Sequence, residues 1–338
     1  MRELLGQPRL LERLGERLTS GEASHAYLIS GPRSIGKHTL ALRIAQTLTC
    51  GEGRRPGGCG ICVACRKVER GLHPDVREIG VLRSEERRWI SIEQLREMER
   101  DLALRPLEGS WRVVIIDDGA DMREDAQDSL LKTLEEPPIH AVLLIVAQVP
   151  HALRPTIVSR CQPLALRPVS AERIAQYVAR RTGDAALARL VAPLAVGRPG
   201  LALRLAADER ERAGRLAMLD DLFALLGTRL IERFAWANHV AEEANRTPED
   251  RELLGDRFTL WLELLRDATV PAAVARIHSD RAARTARLRD LVGQSQLRSL
   301  AALIARLRDD LDRNSNARTS LELAMLRLPY LAEFKRAA

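Results

Sequence analysis

Lysine is scarce. Only Lys37, Lys67, Lys132 and Lys335 occur among 53 basic residues, so few places offer a mobile ammonium, the group that suits a phosphate. Long apolar runs are missing too. None approaches the ~18 residues of a membrane-spanning helix. The first residues, MRELLGQPRLLERLGERL, alternate charge with leucine and show neither an apolar signal core nor a cleavage site, so no secretion signal is expected and a cytoplasmic location is. No internal repeat or low-complexity linker marks a boundary, and domain limits must rest on changes of pattern. A net charge of +7 is compatible with nucleic acid. Acidic and basic residues are interleaved almost everywhere, however, which describes solvated helix surface.

What is present is an ordinary globular composition, 46% hydrophobic and 29% charged over 338 residues, enough for two or three domains. The informative stretch is residues 31–39, GPRSIGKHT. The apolar run Ala26, Tyr27, Leu28 and Ile29 leads in, and a helix-like run, residues 40–48, follows. Strand, glycine loop, lysine and helix is the layout of a phosphate-binding P-loop, G-x-x-x-x-G-K-[ST]. Gly31, Gly36 and Lys37 fit, with Pro32 inside the loop. His38 stands where Ser or Thr should hold Mg²⁺, and Thr39, one residue on, points about 100° away on a helix.

The second half of such a site is a strand ending in Asp. Residues 113–116, Val-Val-Ile-Ile, form an apolar run followed by Asp117 and Asp118. A run of this kind bounded by turns fits a strand buried on both faces of a parallel sheet. The plainer reading of Asp117 and Asp118 is a strand-end turn. Further strands are expected over 76–80 and 141–147, and helices over 91–104, with Ser91 as N-cap, and 124–135. The alternation continues to about residue 162 and makes the N-terminal part a βαβ domain with ligands at the C-terminal strand ends. Beyond residue 167 the pattern is helical: short helices over 170–180, 184–191 and 201–210, a turn at 197–200, then helices throughout. Leu219, Leu222, Leu226 and Leu230 line one face, and Leu297, Leu300, Ile304, Leu307 and Leu311 another.

Cys50, Cys59, Cys62 and Cys65 read C-x8-C-x2-C-x2-C. Four thiolates at this spacing suit a tetrahedral, structural Zn²⁺ with no open position. A disulfide pair and a redox CxxC are the rivals, the first disfavoured in a cytosolic chain. His73 is a further candidate ligand or simply a loop residue. Arg54, Arg55 and Arg66 could touch nucleic acid, or serve as surface charge. Arg160 could reach a neighbour's phosphates as a finger, although the abundance of arginine favours a surface salt bridge.

Several stretches together carry a resemblance: HAYLISGPRSIGKHTLA (25–41), the four cysteines, HPD (73–75), ALRPLEG (103–109), RVVIIDDGADM (112–122), DSLLKTLEEPP (128–138) and LRPTIVSRC (153–161), and more weakly GRPGLAL (197–203) and NSNARTSLELAMLRLP (314–329). They resemble the delta-prime subunits of the bacterial DNA polymerase III clamp loader, members of the AAA+ clamp-loader family. The resemblance implies an α/β P-loop, AAA+-type parallel-sheet domain with a zinc module (1–167, module 50–66), a small three-helix lid domain (168–210) and an all-α helical collar domain (211–338). It implies a hetero-oligomeric ring with gamma/tau and delta subunits that places the sliding clamp on primer–template DNA, a component of the polymerase holoenzyme. Arg160 would then complete the ATP site of an adjacent motor subunit in trans.

The departures point away from a motor. His38 replaces the Mg²⁺ hydroxyl, Asp118 stands where such ATPases place a water-polarising Glu, Gln148 stands before Val149 and Pro150 where motor subunits carry a Thr or Asn, and Gly200 falls where their lid carries an Arg. The expectation is a largely non-hydrolysing stator whose own ATP/Mg²⁺ binding is weak or absent. The alternatives are an active gamma/tau-like clamp-loader ATPase, a stand-alone P-loop enzyme, and a zinc nucleic-acid-binding module using the 50–66 loop.

Overall fold

The computed structural model describes residues 4–53, 55–80, 82–83, 88–271, 277–312 and 316–334; Arg54, Lys335 and residues 314–315 lie outside these. Two units are resolved. The first comprises Met1–Arg173 with Gly197–Leu201, the second Ile174–Val196 with Ala202–Ala338.

The first unit begins with α1 (Pro8–Ser20), β1 (Ala26–Ser30), α2 (Lys37–Thr49) and the short α3 (Val63–Glu69). It continues with β2 (Val76–Ile79), a two-residue ribbon β3 (Leu82–Arg83) and β4 (Arg88–Trp89), α4 (Ile92–Ala103) and β5 (Arg112–Ile116). Then come α5 (Glu124–Glu135), β6 (Ala141–Ala147), the single turn α6 (Pro155–Val158) and β7 (Gln162–Ala165). Five strands form one parallel sheet in the order β2-β5-β6-β1-β7. Crossover helices are what parallel neighbours require.

Alternate residues of each strand feed two cores, as the period of two dictates. Leu28, Val114, Ile116, Leu143 and Ile145 pack with Leu95, Met98 and Leu102 of α4 and Leu130 and Leu134 of α5 on one face. Tyr27, Ile29, Val113, Ile115, Leu144 and Val146 pack with Leu14 and Leu18 of α1 and Leu40, Ile44 and Leu48 of α2 on the other. Every residue of β1 and β6 is buried, which is why residues 26–29 and the whole of β6 show no apolar–polar alternation. Ser91 caps α4 as expected, in a full capping box with Gln94.

Two elements of this unit differ from expectation. β7 extends the sheet past residue 162. Among the described residues it pairs with β1 alone, and it carries Pro163, which an edge strand tolerates because one row of its N–H groups has no ladder partner. The ribbon β3–β4 pairs Leu82 with Trp89 and Arg83 with Arg88 and had no pattern to announce it.

The remaining helices are α7 (Ala171–Thr182), α8 (Ala185–Leu194), α9 (Pro199–Ala207), α10 (Glu209–Leu226), α11 (Leu230–Ala244), α12 (Pro248–Thr269), α13 (Ala282–Asp312) and α14 (Ala317–Arg327). The helix expected over 201–210 is corrected. α9 starts at Pro199 and stops at Ala207, because the Asp208 carboxylate accepts from the amides of Arg210 and Glu211 and caps a new helix. The turn expected over 197–200 shortens accordingly. Leu219, Leu222 and Leu226 are buried on α10 as expected, but Leu230 opens α11 and is 44% exposed. Leu297, Leu300, Ile304, Leu307 and Leu311 are all buried on α13. Trp261 is wholly buried, donates from Nε1 to Met218 O at 2.7 Å and stacks on Trp236. Among the described residues, no helix is long and apolar enough to cross a membrane.

Candidate nucleotide pocket and cysteine centre

The glycine loop joins the buried β1 to the N-terminus of α2. Gly31 has φ 144° and Gly36 φ 112°, values that favour glycine. A side chain at Gly31 would meet Leu166 O at 2.8 Å. Ser34 also lies at positive φ, 60°. The Lys37 ammonium is held by the loop's own carbonyls, Gly31 O at 2.7 Å and Pro32 O at 3.0 Å, and the residue is 8% exposed. The Gly31 amide donates to Gln148 O at 3.0 Å, so Gln148 meets the loop through its backbone. The Gly200 amide donates to Ser34 O at 2.9 Å, so Gly200 lies directly on the loop.

β5 delivers Asp117 to the same place. Its carboxyl is pushed above the usual carboxylate range, first by burial and then by the charge of Asp118, with His38 acting the other way. Asp118 sits in the left-handed region, φ 50°, and its amide donates to Asp117 Oδ1 at 3.1 Å. The strand-end turn and the carboxylate position are therefore one feature. His38, second residue of α2, points its Nε2 at Glu78 Oε1, 2.6 Å away. Glu78 lies on β2, next to β5 in the sheet. Nothing in the sequence linked it to Asp117; the strand order does. Thr39 lies in the same first turn of α2 as His38.

The four cysteines are drawn together. One sulfur from each of Cys50, Cys59, Cys62 and Cys65 lies within 4.8 Å of every other, and Cys59 Sγ is 4.0 Å from Cys65 Sγ. Sulfurs bound at ~2.3 Å around a tetrahedral Zn²⁺ stand about 3.8 Å apart, so the set fits such an ion. Cys62 is the N-cap of α3 and accepts from the Cys65 amide at 3.4 Å, and the Cys62 amide donates to Cys59 Sγ at 3.3 Å. At Cys62 burial opposes ionisation, but hydrogen bonds from the Cys65 and Gly51 backbone and from the Cys59 and Cys65 side chains prevail and hold the thiol at about 6. Burial pushes Cys65 up to about 12. None of the five cysteines is paired in a disulfide.

His73 is not part of this group. It is 4% exposed and its Nδ1 accepts from the Asp75 amide at 3.1 Å. Asp75 in turn accepts from the amides of Leu107, Glu108 and Gly109 at 2.6, 2.8 and 3.1 Å. The HPD and ALRPLEG stretches thus form one buried loop anchor.

Arg160 follows α6. Its Nη2 pairs with Glu135 Oε1 at 2.7 Å and its Nη1 donates to Thr156 O at 3.0 Å. The side chain keeps 36% exposure. The surface salt bridge expected from composition is present, and an exposed pair of this kind is held by ~0–1 kcal/mol.

With the geometry in place, similarity to known proteins gives it a context. A family model described as DNA polymerase III, delta subunit, matches residues 6–170. The DNA polymerase III subunit delta' of Pseudomonas aeruginosa is 34% identical over 77% of this chain and 76% of its own length. The subunit tau of Salmonella typhimurium is 30% identical over 96% of this chain. The chain spans about half the length of the tau relatives it matches, 53% for that one and 47% for the tau of Escherichia coli. Among solved structures, the gamma subunit-related protein of Thermotoga maritima aligns with 97% of this chain and 100% of that one, at a TM-score of 0.40 and 18% identity. The chain belongs to the DNA polymerase III clamp-loader subunits, the family that contains delta-prime and tau/gamma.

Proposed function

We propose that this chain is a largely non-hydrolysing stator of the clamp loader. In this reading it works in a ring with gamma/tau and delta subunits that loads the sliding clamp onto primed DNA, and it lends Arg160 to a neighbour's ATP. The observation that carries the reading is the His38–Glu78 contact of 2.6 Å beside Asp117. Phosphoryl transfer needs Mg²⁺ bridging β- and γ-oxygens, held by a hydroxyl and a carboxylate. An imidazole tied to a second carboxylate takes the hydroxyl's place. The Gly200 amide on Ser34 O supports the same reading, since a residue without a side chain stands where a motor's lid arginine is expected.

Within the same proposal, residues 168–210 serve as the lid and 211–338 as the collar through which the ring assembles. Cys50, Cys59, Cys62 and Cys65 hold a structural Zn²⁺. That ion would supply no chemistry; it would fix the loop of residues 50–66 against α2, where Gln46 Nε2 already donates to Cys65 O at 3.1 Å.

The alternative is an active gamma/tau-like ATPase, favoured by the similarity to tau along 96% of the chain. Turnover of ATP by the purified chain, alone and with clamp and primed DNA, separates the two. The stator reading expects background hydrolysis in both, and turnover near 1 s⁻¹, about the low end of typical enzyme rates, overturns it.

A further inference from the structure

We propose that His38, Glu78 and Asp117 form a binding site for a first-row transition-metal dication such as Mn²⁺, Co²⁺ or Zn²⁺, occupied without nucleotide and separate from the cysteine centre. One donor atom from each, an imidazole nitrogen and two carboxylate oxygens, lies within 4.8 Å of the other two. Donors bound to one such ion at about 2.0–2.2 Å stand roughly 3–3.5 Å apart. Rotamer adjustments of exposed side chains span that difference, and Glu78 is 43% and His38 30% exposed.

The three residues come from three elements that the fold fixes relative to one another. β2 and β5 are adjacent parallel strands in register, Glu78 beside Ile115. The Asp117 amide donates to Ile79 O at 2.8 Å, which places Asp117 just past the ladder that carries Glu78. His38 is delivered by the first turn of α2. That arrangement is independent of the contact between the side chains themselves. It is also the place where a P-loop fold holds its cation, between the residue after the loop lysine and the carboxylate ending the second strand.

The local charge argues in the same direction. Like charge gathers there: the carboxylates of Glu78 and Asp117 face one site, with Asp118 adjoining, and repel one another. A dication at the junction relieves that repulsion. The donor set selects the kind of ion. Mg²⁺ prefers an all-oxygen octahedron and keeps its waters, relying on substrate phosphates to complete the shell. Replacing a hydroxyl by an imidazole and adding a second carboxylate shifts preference to Mn²⁺, Co²⁺ and Zn²⁺ and makes the protein supply three ligands itself. On binding, the His38–Glu78 contact of 2.6 Å opens to admit the ion, and the imidazole ligates through Nε2 in its neutral form.

This inference shares with the stator reading only the loss of the Mg²⁺ hydroxyl, and its test does not read ATP turnover. The full-length chain is first loaded with one Zn²⁺ per molecule at the cysteine centre. It is then titrated with Mn²⁺ in the absence of nucleotide, followed by electron paramagnetic resonance, and with Co²⁺, followed by visible absorption. Cobalt bound by thiolates gives intense charge-transfer bands, whereas cobalt bound by nitrogen and oxygen does not. The expected result is one further Mn²⁺ or Co²⁺ per chain without thiolate bands, with Mg²⁺ competing only at far higher concentration. His38→Ala and Asp117→Asn should each weaken binding at least tenfold while zinc content and melting temperature hold. Glu78→Gln serves as a third variant should either of these fail to fold. Absence of a second ion, binding unchanged in the folded variants, or binding that requires ATP overturns the proposal.

Discussion

The amide of Gly200 donates to the carbonyl of Ser34 at 2.9 Å, and a Cβ added at Gly200 would sit 2.8 Å from that same oxygen. Ser34 already holds a positive φ of 60°, so its backbone has little room to retreat. Alanine would gain ~1 kcal/mol of helix propensity inside α9. Overpacking against a backbone atom costs about 1–3 kcal/mol and should win. Gly200→Ala should therefore destabilise the chain by about 1 kcal/mol and loosen the 31–37 loop. Gly214, inside α10 with nothing within 4 Å of its added Cβ, is the matched control. Gly214→Ala should stabilise by ~1 kcal/mol. Denaturant unfolding of both variants measures the pair, and equal effects would remove the argument for a built contact.

The cysteine centre predicts one Zn²⁺ per chain by metal analysis. Cys62→Ala removes both a ligand and the N-cap of α3. Metal content should fall below a tenth of an ion, and amide exchange over α3 should speed at least tenfold while β1 and β6 stay protected. Gly58→Ala tests the packing. Its φ is +69°, and a Cβ would lie 2.8 Å from both Cys65 Sγ and Gln46 Cβ, so zinc should be retained less tightly although every ligand remains. A stable, metal-free preparation with native α3 protection would contradict the zinc reading.

What could be read from the sequence follows from how local each cause is. β6 and the core of β5 announce themselves as unbroken apolar runs, and α4 by its apolar spacing with Ser91 as N-cap. β7 does not. Its Pro163 and its single buried residue, Leu164, look like loop, and only pairing with β1 makes it a strand. The glycine loop, Lys37, Asp117 and the cysteines were legible because their chemistry is carried by spacing. Glu78 was not, because its place beside Asp117 is set by strand order, a property of the whole sheet. An acidic residue at the penultimate position of a short strand, VREI, was the available signal. Arg233 is a parallel case in the second unit: it donates to Leu225 O in the last turn of α10 and to Leu328 O and Pro329 O just after α14, at 2.8, 2.6 and 2.7 Å, and the second pair lies too far along the sequence to be read from it.

His73 predicts a pH dependence. Burial is the main cause holding its imidazole below the ordinary value, with Lys67 adding to it and Asp75 and Glu108 opposing. The unfolded chain then takes up a proton first as pH falls through about 6.5. Stability from this residue is full above that pH and is lost below it, at a rate of at most ~1.4 kcal/mol per pH unit. His73→Gln removes the titration. The stability gap between the native chain and this variant, from urea unfolding at pH 7.5 and 5.5, should narrow at the lower pH. A gap independent of pH would show that His73 is not held neutral by its site.

Arg160 separates a structural pair from a catalytic one. Its contact with Glu135 at 2.7 Å leaves the guanidinium 36% exposed, and pairs of this kind contribute ~0–1 kcal/mol. Arg160→Ala should therefore leave melting and ring assembly nearly unchanged. If the guanidinium serves a neighbour's ATP, hydrolysis at the facing site of the reconstituted ring should fall by about 10³-fold or more. Single-turnover assays, with the other sites disabled, read that one site. Arg160→Lys should recover little, because a point ammonium lacks the planar fork that meets phosphate oxygens. Glu135→Ala removes the intramolecular carboxylate, leaving only the Thr156 carbonyl, while sparing the finger, and the facing site should then retain or gain activity. Loss of turnover in Glu135→Ala equal to that in Arg160→Ala would mean that the pair positions α6 and that the guanidinium does not reach across. Normal turnover in Arg160→Ala would leave the contact as the surface salt bridge that composition alone suggests.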